Sequence, residues 1–223
     1  KAYLDALMQY NKALDQRNAL LKYFAKERTF NQDQIDAWNV TLVRHGVELG
    51  MKRKALTEEI IPVFQRYYNK ISGSKETVGL VYKSQLLDND FATLLNERTQ
   101  KDIYSQHTTV GIHKDDLQFT LGDNPIKKFA SQGQQKTYLI ALKLAQFEFL
   151  KKTKTQTPIL LLDDIFDKLD SKRVTQLLEL VNSNDFGQIF ITDTELERIE
   201  KILKRLEVES SVFSVSGGEI NLI

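Results

Sequence analysis

The chain has 223 residues, of which 41% are hydrophobic and 27% charged, with a formal net charge of +1 and no cysteine. That length buries a sizeable core as one large or two small domains, while the lack of cysteine excludes disulfides and thiolate metal sites and fits a reducing cytoplasm. Neither a run of about 18 apolar residues nor a basic leader followed by an apolar stretch occurs, so no helical membrane span or signal peptide is expected in these residues.

Charge is unevenly placed. Residues 1 to 75 hold 13 Lys and Arg against 8 Asp and Glu, and residues 76 to 223 hold 18 against 22. Net charges of +5 and −4 are too mild to mark a nucleic-acid protein by themselves. The first residue is Lys, not Met, and the chain is expected to continue upstream.

The first 70 residues read as helical. Tyr3, Leu7, Tyr10, Leu14, Arg17, Leu21 and Phe24 recur at alternating steps of four and three, an apolar seam interrupted by one Arg. From about Asp33, Ile35, Trp38, Leu42, His45, Leu49, Leu56 and Ile60 line one side of a second helix, which Pro62 is expected to bend or end. Together they suggest an antiparallel helical arm. Arg44, Lys52, Arg53 and Lys54 form a basic cluster along it, fit either to touch DNA phosphates or to serve as a solvated helix face. The best linker is Ile71-Ser-Gly-Ser-Lys75, placing the arm at 1–75, with an extension to about 105, and a second domain at 76–223.

Beyond the linker the pattern changes. Val78, Leu80 and Tyr82 alternate as a strand, Asp90 to about Lys101 reads as a helix, and Leu117, Phe119 and Leu121 alternate again. Helices at 133–151, 171–182 and 194–205 then alternate with strands at 159–162 and 188–192. That order predicts an α/β fold, a mostly parallel sheet with crossover helices. Val212–Val215, Ser216-Gly217-Gly218 and Ile220–Ile223 read as a closing hairpin. Among the histidines, His45 is a helix residue, and His107 and His113 are too sparse for zinc.

Two stretches carry chemistry. Ser131-Gln132-Gly133-Gln134-Gln135-Lys136 precedes an apolar helical run. A Ser hydroxyl and a Gly backbone at a helix N-terminus form either an ordinary cap or an anion site, because free N–H groups and the positive end of the helix dipole point the same way. Further on, Ile159 to Leu162 form a continuous apolar run, as in a strand covered on both faces, ending in Asp163-Asp164. Ligands bind at that end of a strand in open α/β sheets. The pair therefore suits metal binding (Asp163 on Mg²⁺) and general-base catalysis (Asp164 on an attacking water), or else simply opens a loop.

In combination these motifs are more specific. Ser-x-Gly-Gln-x-Lys, a helix, four aliphatics, Asp-Asp and then Leu169-Asp170 resemble the C-terminal lobe of an ABC-type ATPase head: signature motif (131–136), Walker B (163–164) and D-loop (Asp170). Within that superfamily the RecF family is the nearest likeness, through Gly111-Ile112-His113-Lys114-Asp115-Asp116-Leu117, Leu-Leu-Leu-Asp-Asp and Gln188-Ile189-Phe190-Ile191-Thr192. Ile112 and Lys114 depart from the family's Pro and Arg. The resemblance implies ATP and Mg²⁺ as cofactors, with Ser131 to Lys136 gripping the nucleotide of a second copy. It implies Thr192 as a γ-phosphate sensor where other ABC ATPases carry a His, and a role for His113 and Asp115 near the nucleotide or a domain joint.

It further implies an ATP-dependent homodimer, cytoplasmic and nucleoid-associated, that binds gapped duplex DNA and helps load RecA together with RecO and RecR. No Gly-x-x-x-x-Gly-Lys-Ser/Thr loop occurs in these residues, so this segment alone is expected neither to bind ATP tightly nor to hydrolyse it. The phosphate loop is expected upstream. Two other readings remain: another SMC-like head that organises DNA, and a noncatalytic helical interaction module.

Overall fold

The computed structural model describes residues 1–73, 76–154, 156–163, 168–182, 186–206 and 210–223, apart from the side chains of Arg198, Ile199, Ile202, Arg205 and Leu206. The chain forms two compact units, Lys1–Ile61 with Leu80–Phe119, and Pro62–Gly79 with Thr120–Ile223. The stretch expected as the arm therefore contributes residues to both.

In the first unit, α1 (Ala2–Glu27), the N-terminal part of α2 (Gln32–Ser72) and α3 (Phe91–Ser105) supply the core. Tyr10, Leu42, Leu49, Phe91, Leu95, Val110 and Ile112 are buried together with Ala6 and Ala13. The buried side of α1 is thus shifted from the expected seam: Ala6 and Ala13 lie inside while Tyr3 is 39% exposed. Small residues there let helices approach closely. Gly46 does the same on α2, where a Cβ would lie 2.6 Å from the Phe91 ring.

Arg17, read as an interruption of the seam, is fully buried and pairs with Asp102 of α3 at 2.7 Å. Its Nε also donates to Asn39 at 2.8 Å and its Nη1 to Thr108 at 2.8 Å. The other Asp102 oxygen accepts from the Thr109 backbone N–H at 2.9 Å and from its hydroxyl. A buried charge survives only with such company, since an unpaired one costs several kcal/mol, about 3–5 when a partner is removed.

Pro62 does not end α2. The helix runs 41 residues, about 60 Å at 1.5 Å per residue. A proline inside a helix costs about 3 kcal/mol, and the four buried side chains that follow, Phe64, Tyr67, Tyr68 and Ile71, outweigh it at about 1.5–3 kcal/mol each. The helix closes at Ser72; residues 74 and 75 of the expected linker lie outside the described residues.

Strands β1 (Val78–Lys83), β2 (Asp116–Leu121) and β3 (Asn124–Pro125) form a sheet in that order. In the second unit the short α4 (Ile126–Phe129) leads to α5 (Gln132–Thr153), which buries Tyr138, Ile140, Ala141, Leu144, Ala145 and Phe147. β4 (Leu160–Leu162) and β5 (Ile189–Ile191) pair in parallel, Leu160 opposite Ile189, joined through α6 (Ser171–Val181), as the βαβ pattern requires. α7 (Leu196–Leu206) and the hairpin β6 (Phe213–Ser216) with β7 (Glu219–Leu222) complete the unit. The hairpin turns on Gly217 and Gly218, both at positive φ, which two-residue hairpin turns demand.

One expectation fails here. β4 is not covered on both faces: Leu160 and Leu162 are buried, but Leu161 is 71% exposed and Phe190 beside it on β5 is 50% exposed. The described residues of this chain supply a partner for only one side of the pair.

Candidate functional site

The signature stretch caps α5 as its composition dictates. Ser131 is the N-cap, its Oγ accepting the Gln134 N–H at 3.2 Å, while the Gln134 side chain accepts the Ser131 N–H at 2.7 Å. This reciprocal pair is a capping box. It fixes Ser131, exposed, beside first-turn N–H groups that have no intrahelical acceptor. Gln135 turns back to the Ala130 carbonyl at 3.0 Å, and Gln132 is exposed. Gly133 is required by space, since a Cβ there would lie 3.0 Å from the backbone oxygen of Lys168. The signature turn thus packs against the segment that leads into α6. Lys136 is half-buried on the same turn of α5.

Asp163 leaves the C-terminal end of β4, exposed, and accepts a hydrogen bond from the Thr192 hydroxyl at the end of β5. The two strands stay paired up to that point, with the Thr192 N–H donating to the Leu162 carbonyl at 3.0 Å. One carboxylate oxygen is thereby oriented, and the chemistry of the group, a hard anionic oxygen at a strand end, fits Mg²⁺. Asp164 lies outside the described residues. Asp170 is the N-cap of α6, its Oδ1 accepting the Arg173 N–H at 2.8 Å. Asp193 accepts the Glu195 N–H at 2.8 Å, an Asx turn just before α7.

Two residues beneath these turns carry no signal in the sequence. Glu76 accepts from the Gln134 amide at 2.8 Å, from the Tyr68 hydroxyl, and from the Arg173 guanidinium at 3.4 Å. Burial alone would raise its carboxyl, but the hydrogen bonds from Tyr68 and Gln134 and the charge of Arg173 hold it below the usual carboxylate range. Arg173 also donates to the buried Thr137 hydroxyl at 2.9 Å, and Thr137 donates to the Gly133 carbonyl at 2.8 Å. Neither Glu76 nor Arg173 belongs to a periodic pattern or a motif, so nothing local marks them.

The other predicted residues belong to the first unit. His113 accepts from the Tyr10 hydroxyl at Nδ1, 2.9 Å, and donates from Nε2 to the Thr108 carbonyl at 3.0 Å, the neutral tautomer this pairing requires. Desolvation lowers its pKa. Gly111 before it has φ +120°, and a Cβ there would lie 2.5 Å from the Tyr10 oxygen, so only glycine fits. Asp115 accepts from Arg53 at 3.1 Å and from the Tyr82 hydroxyl, leaving its buried Oδ1 without a partner.

The basic cluster is largely occupied. Arg53 is half-buried and also donates to the Ile112 carbonyl at 2.7 Å and to Tyr3 at 3.1 Å; Lys52 pairs with Glu48 at 2.6 Å and Lys54 with Glu58 at 3.8 Å. Arg44 is exposed.

Solved structures share this fold. That of the recombination mediator protein RecF with ATP gives a TM-score of 0.79 at 24% identity, covering 100% of this chain and 59% of that one. An Smc head domain with an extended coiled coil from Pyrococcus furiosus, bound to the C-terminal domain of ScpA, gives 0.51 at 15% identity, over 100% of this chain and 52% of that one. The fold is therefore α/β, the C-terminal lobe of an ABC-type ATPase head of the SMC-like kind, with an N-terminal helical arm.

No protein-family model matches. The DNA replication and repair protein RecF of Flavobacterium johnsoniae, however, is 53% identical over 213 residues, 96% of this chain and 59% of that relative. The chain belongs to the RecF family, and it spans about 59% of the length of the curated relatives it matches.

Proposed function

We propose that the whole protein is an ATP-dependent, DNA-binding dimer acting in replication and repair, and that this chain supplies the part of each nucleotide site that closes from the opposite protomer. The observation that carries this reading is the packing of the Ser131 cap against the segment before α6, where a Cβ on Gly133 would crowd the Lys168 backbone oxygen at 3.0 Å. The signature turn thereby packs on Lys168, just ahead of α6. Ser131 and the first-turn amides of α5 take the γ-phosphate held by the other protomer. Asp163, oriented by Thr192, holds Mg²⁺; Thr192 responds to the γ-phosphate; Asp164 activates the water; and Asp170 faces the dimer partner. ATP then stabilises the dimer by binding it in preference to monomers, and hydrolysis releases it.

The open side of β4–β5, with Leu161 and Phe190 in solvent, is the surface on which the remaining length of the RecF proteins would pack, bringing the phosphate loop. On this segment alone, without that loop, neither tight ATP binding nor hydrolysis is expected. Gapped duplex DNA as the substrate and RecO and RecR as partners in loading RecA belong to the same reading. Of the basic cluster on α2, exposed Arg44, Lys52 and Lys54 are the candidates to meet DNA, the two lysines exchanging Glu48 and Glu58 for phosphates, whereas Arg53 holds Asp115.

The test is Ser131→Arg in the full-length protein. ATP-driven dimers, followed by sedimentation, should vanish while nucleotide binding by the monomer stays near wild type. Dimers that persist would remove the signature from the site.

A further inference from the structure

The last turns of α2 end beside the signature turn, and one carboxylate joins them. Glu76 receives the Tyr68 hydroxyl from α2 on one oxygen and, on the other, the Gln134 amide from the capping box and the Arg173 guanidinium from α6. Arg173 in turn touches Asp170 at 3.4 Å and Thr137 at 2.9 Å. Gln134 is the residue whose side chain holds the Ser131 N–H, so Glu76 acts on the cap through a single intermediate. We propose that Glu76 is a positioning residue through which the C-terminal end of α2 sets the pose of the signature turn and of the Asp170 turn together.

The chemistry suits that role. An ionised carboxylate accepts from three donors at once, which an amide cannot do, and hydrogen bonds to a charged group are about twice as strong as neutral ones. Glu76 is mostly buried, with 20% of its side chain exposed, and Arg173 has 16%. Where α2 meets α6, a Cβ on Gly73 would lie 3.6 Å from both the Gln176 amide and the Lys172 ammonium. Ser72 Oγ and Gln176 Oε1, both buried, are left without partners there.

The inference rests on the proposed ATP-driven dimer and is tested separately from it. In the full-length protein, dimer constants with ATP, monomer affinity for ATP and thermal midpoints are measured for wild type, Glu76→Ala, Glu76→Gln and Tyr68→Phe. Glu76→Ala should weaken ATP-driven dimers about tenfold or more, the scale of a lost charged hydrogen bond, with monomer ATP affinity unchanged. Tyr68→Phe, which keeps the ring and its packing, should weaken them several-fold. Glu76→Gln, which keeps one acceptor oxygen but loses the charge and the other acceptor, should recover only part of the loss.

Wild-type dimer constants in Tyr68→Phe would overturn the link to α2, whatever Glu76→Ala does. Losses of dimer and of monomer ATP affinity in equal proportion would reduce Glu76 to a merely structural residue. Should Glu76→Ala not fold, Tyr68→Phe and Glu76→Gln decide alone. A wild-type protein that forms no dimer with ATP overturns the proposed function, and this inference with it.

Discussion

The two units treat their difficult residues in opposite ways. The first buries an ion pair, Arg17 with Asp102, and supplies nearly every partner that pair needs from within: Asn39, Thr108 and Thr109. The second leaves aliphatic and aromatic side chains of a parallel strand pair in solvent, Leu161 at 71% and Phe190 at 50%, with the hairpin residues Val215 at 70% and Ile220 at 69%. Parallel strands are ordinarily covered on both faces. The difference teaches where partners come from: Arg17 finds them within this chain, while Leu161 and Phe190, paired across β4 and β5, face solvent among the described residues.

The contrast can be broken most sharply at Arg17. Replacing it with Met strands the Asp102 carboxylate in a buried site and should cost the first unit about 3–5 kcal/mol in urea denaturation. Arg17→Met combined with Asp102→Leu should regain most of that loss, since an apolar pair of similar volume has no charge to desolvate. If the double variant remains as unstable as the single one, the ion pair is not what holds α1 to α3.

A smaller effect sharpens the other half of the comparison. Leu161→Ala in this chain by itself should change stability by no more than about 0.5 kcal/mol, as for other exposed positions. In the full-length protein, with the face covered, the same change should cost about 2 kcal/mol or more. Equal costs in the two settings would mean that the face stays open.

The smallest effect is one of pH. His113 is held neutral by desolvation, so its folded pKa lies below the unfolded value of about 6.5. The unfolded chain then binds more protons, and the stability that His113 contributes is complete above about pH 6.5 and is lost as pH falls through the folded value. Asp102, Asp115, Tyr10 and Lys114 are the charged and titratable groups around it. Denaturation midpoints of wild type should therefore drop between pH 7.5 and 5.5 more than those of His113→Gln. Parallel pH profiles would remove His113 as the cause.

The likeness of the motifs to an ABC-type head was legible because it lies in local order: a cap, a helix, four aliphatics and a carboxylate pair within 40 residues. Apart from β3 and α4, which no pattern announced, the strands and helices from Val78 to Leu222 follow from periodicity and turn residues, within a residue or two at most ends. Of the two outcomes expected at Pro62, a bend or an end, the end does not occur, because local propensity sets the cost of a proline but not the burial of the four side chains after it. Arg17 misled because a charge in an apolar seam is an interruption until a partner 85 residues away is brought to 2.7 Å.

The sequence by itself determined most of the elements, their order, the closing glycine turn and the cap at Ser131, since each depends on neighbours a few residues apart. Only the tertiary structure decided that Glu76 lies between Tyr68, Gln134 and Arg173, that Arg53 is committed to Asp115, and that Leu161 faces solvent. Those outcomes depend on which groups distant segments bring together. Hydrogen bonds, ion pairs and burial are set by spatial neighbours, and chain spacing does not encode them.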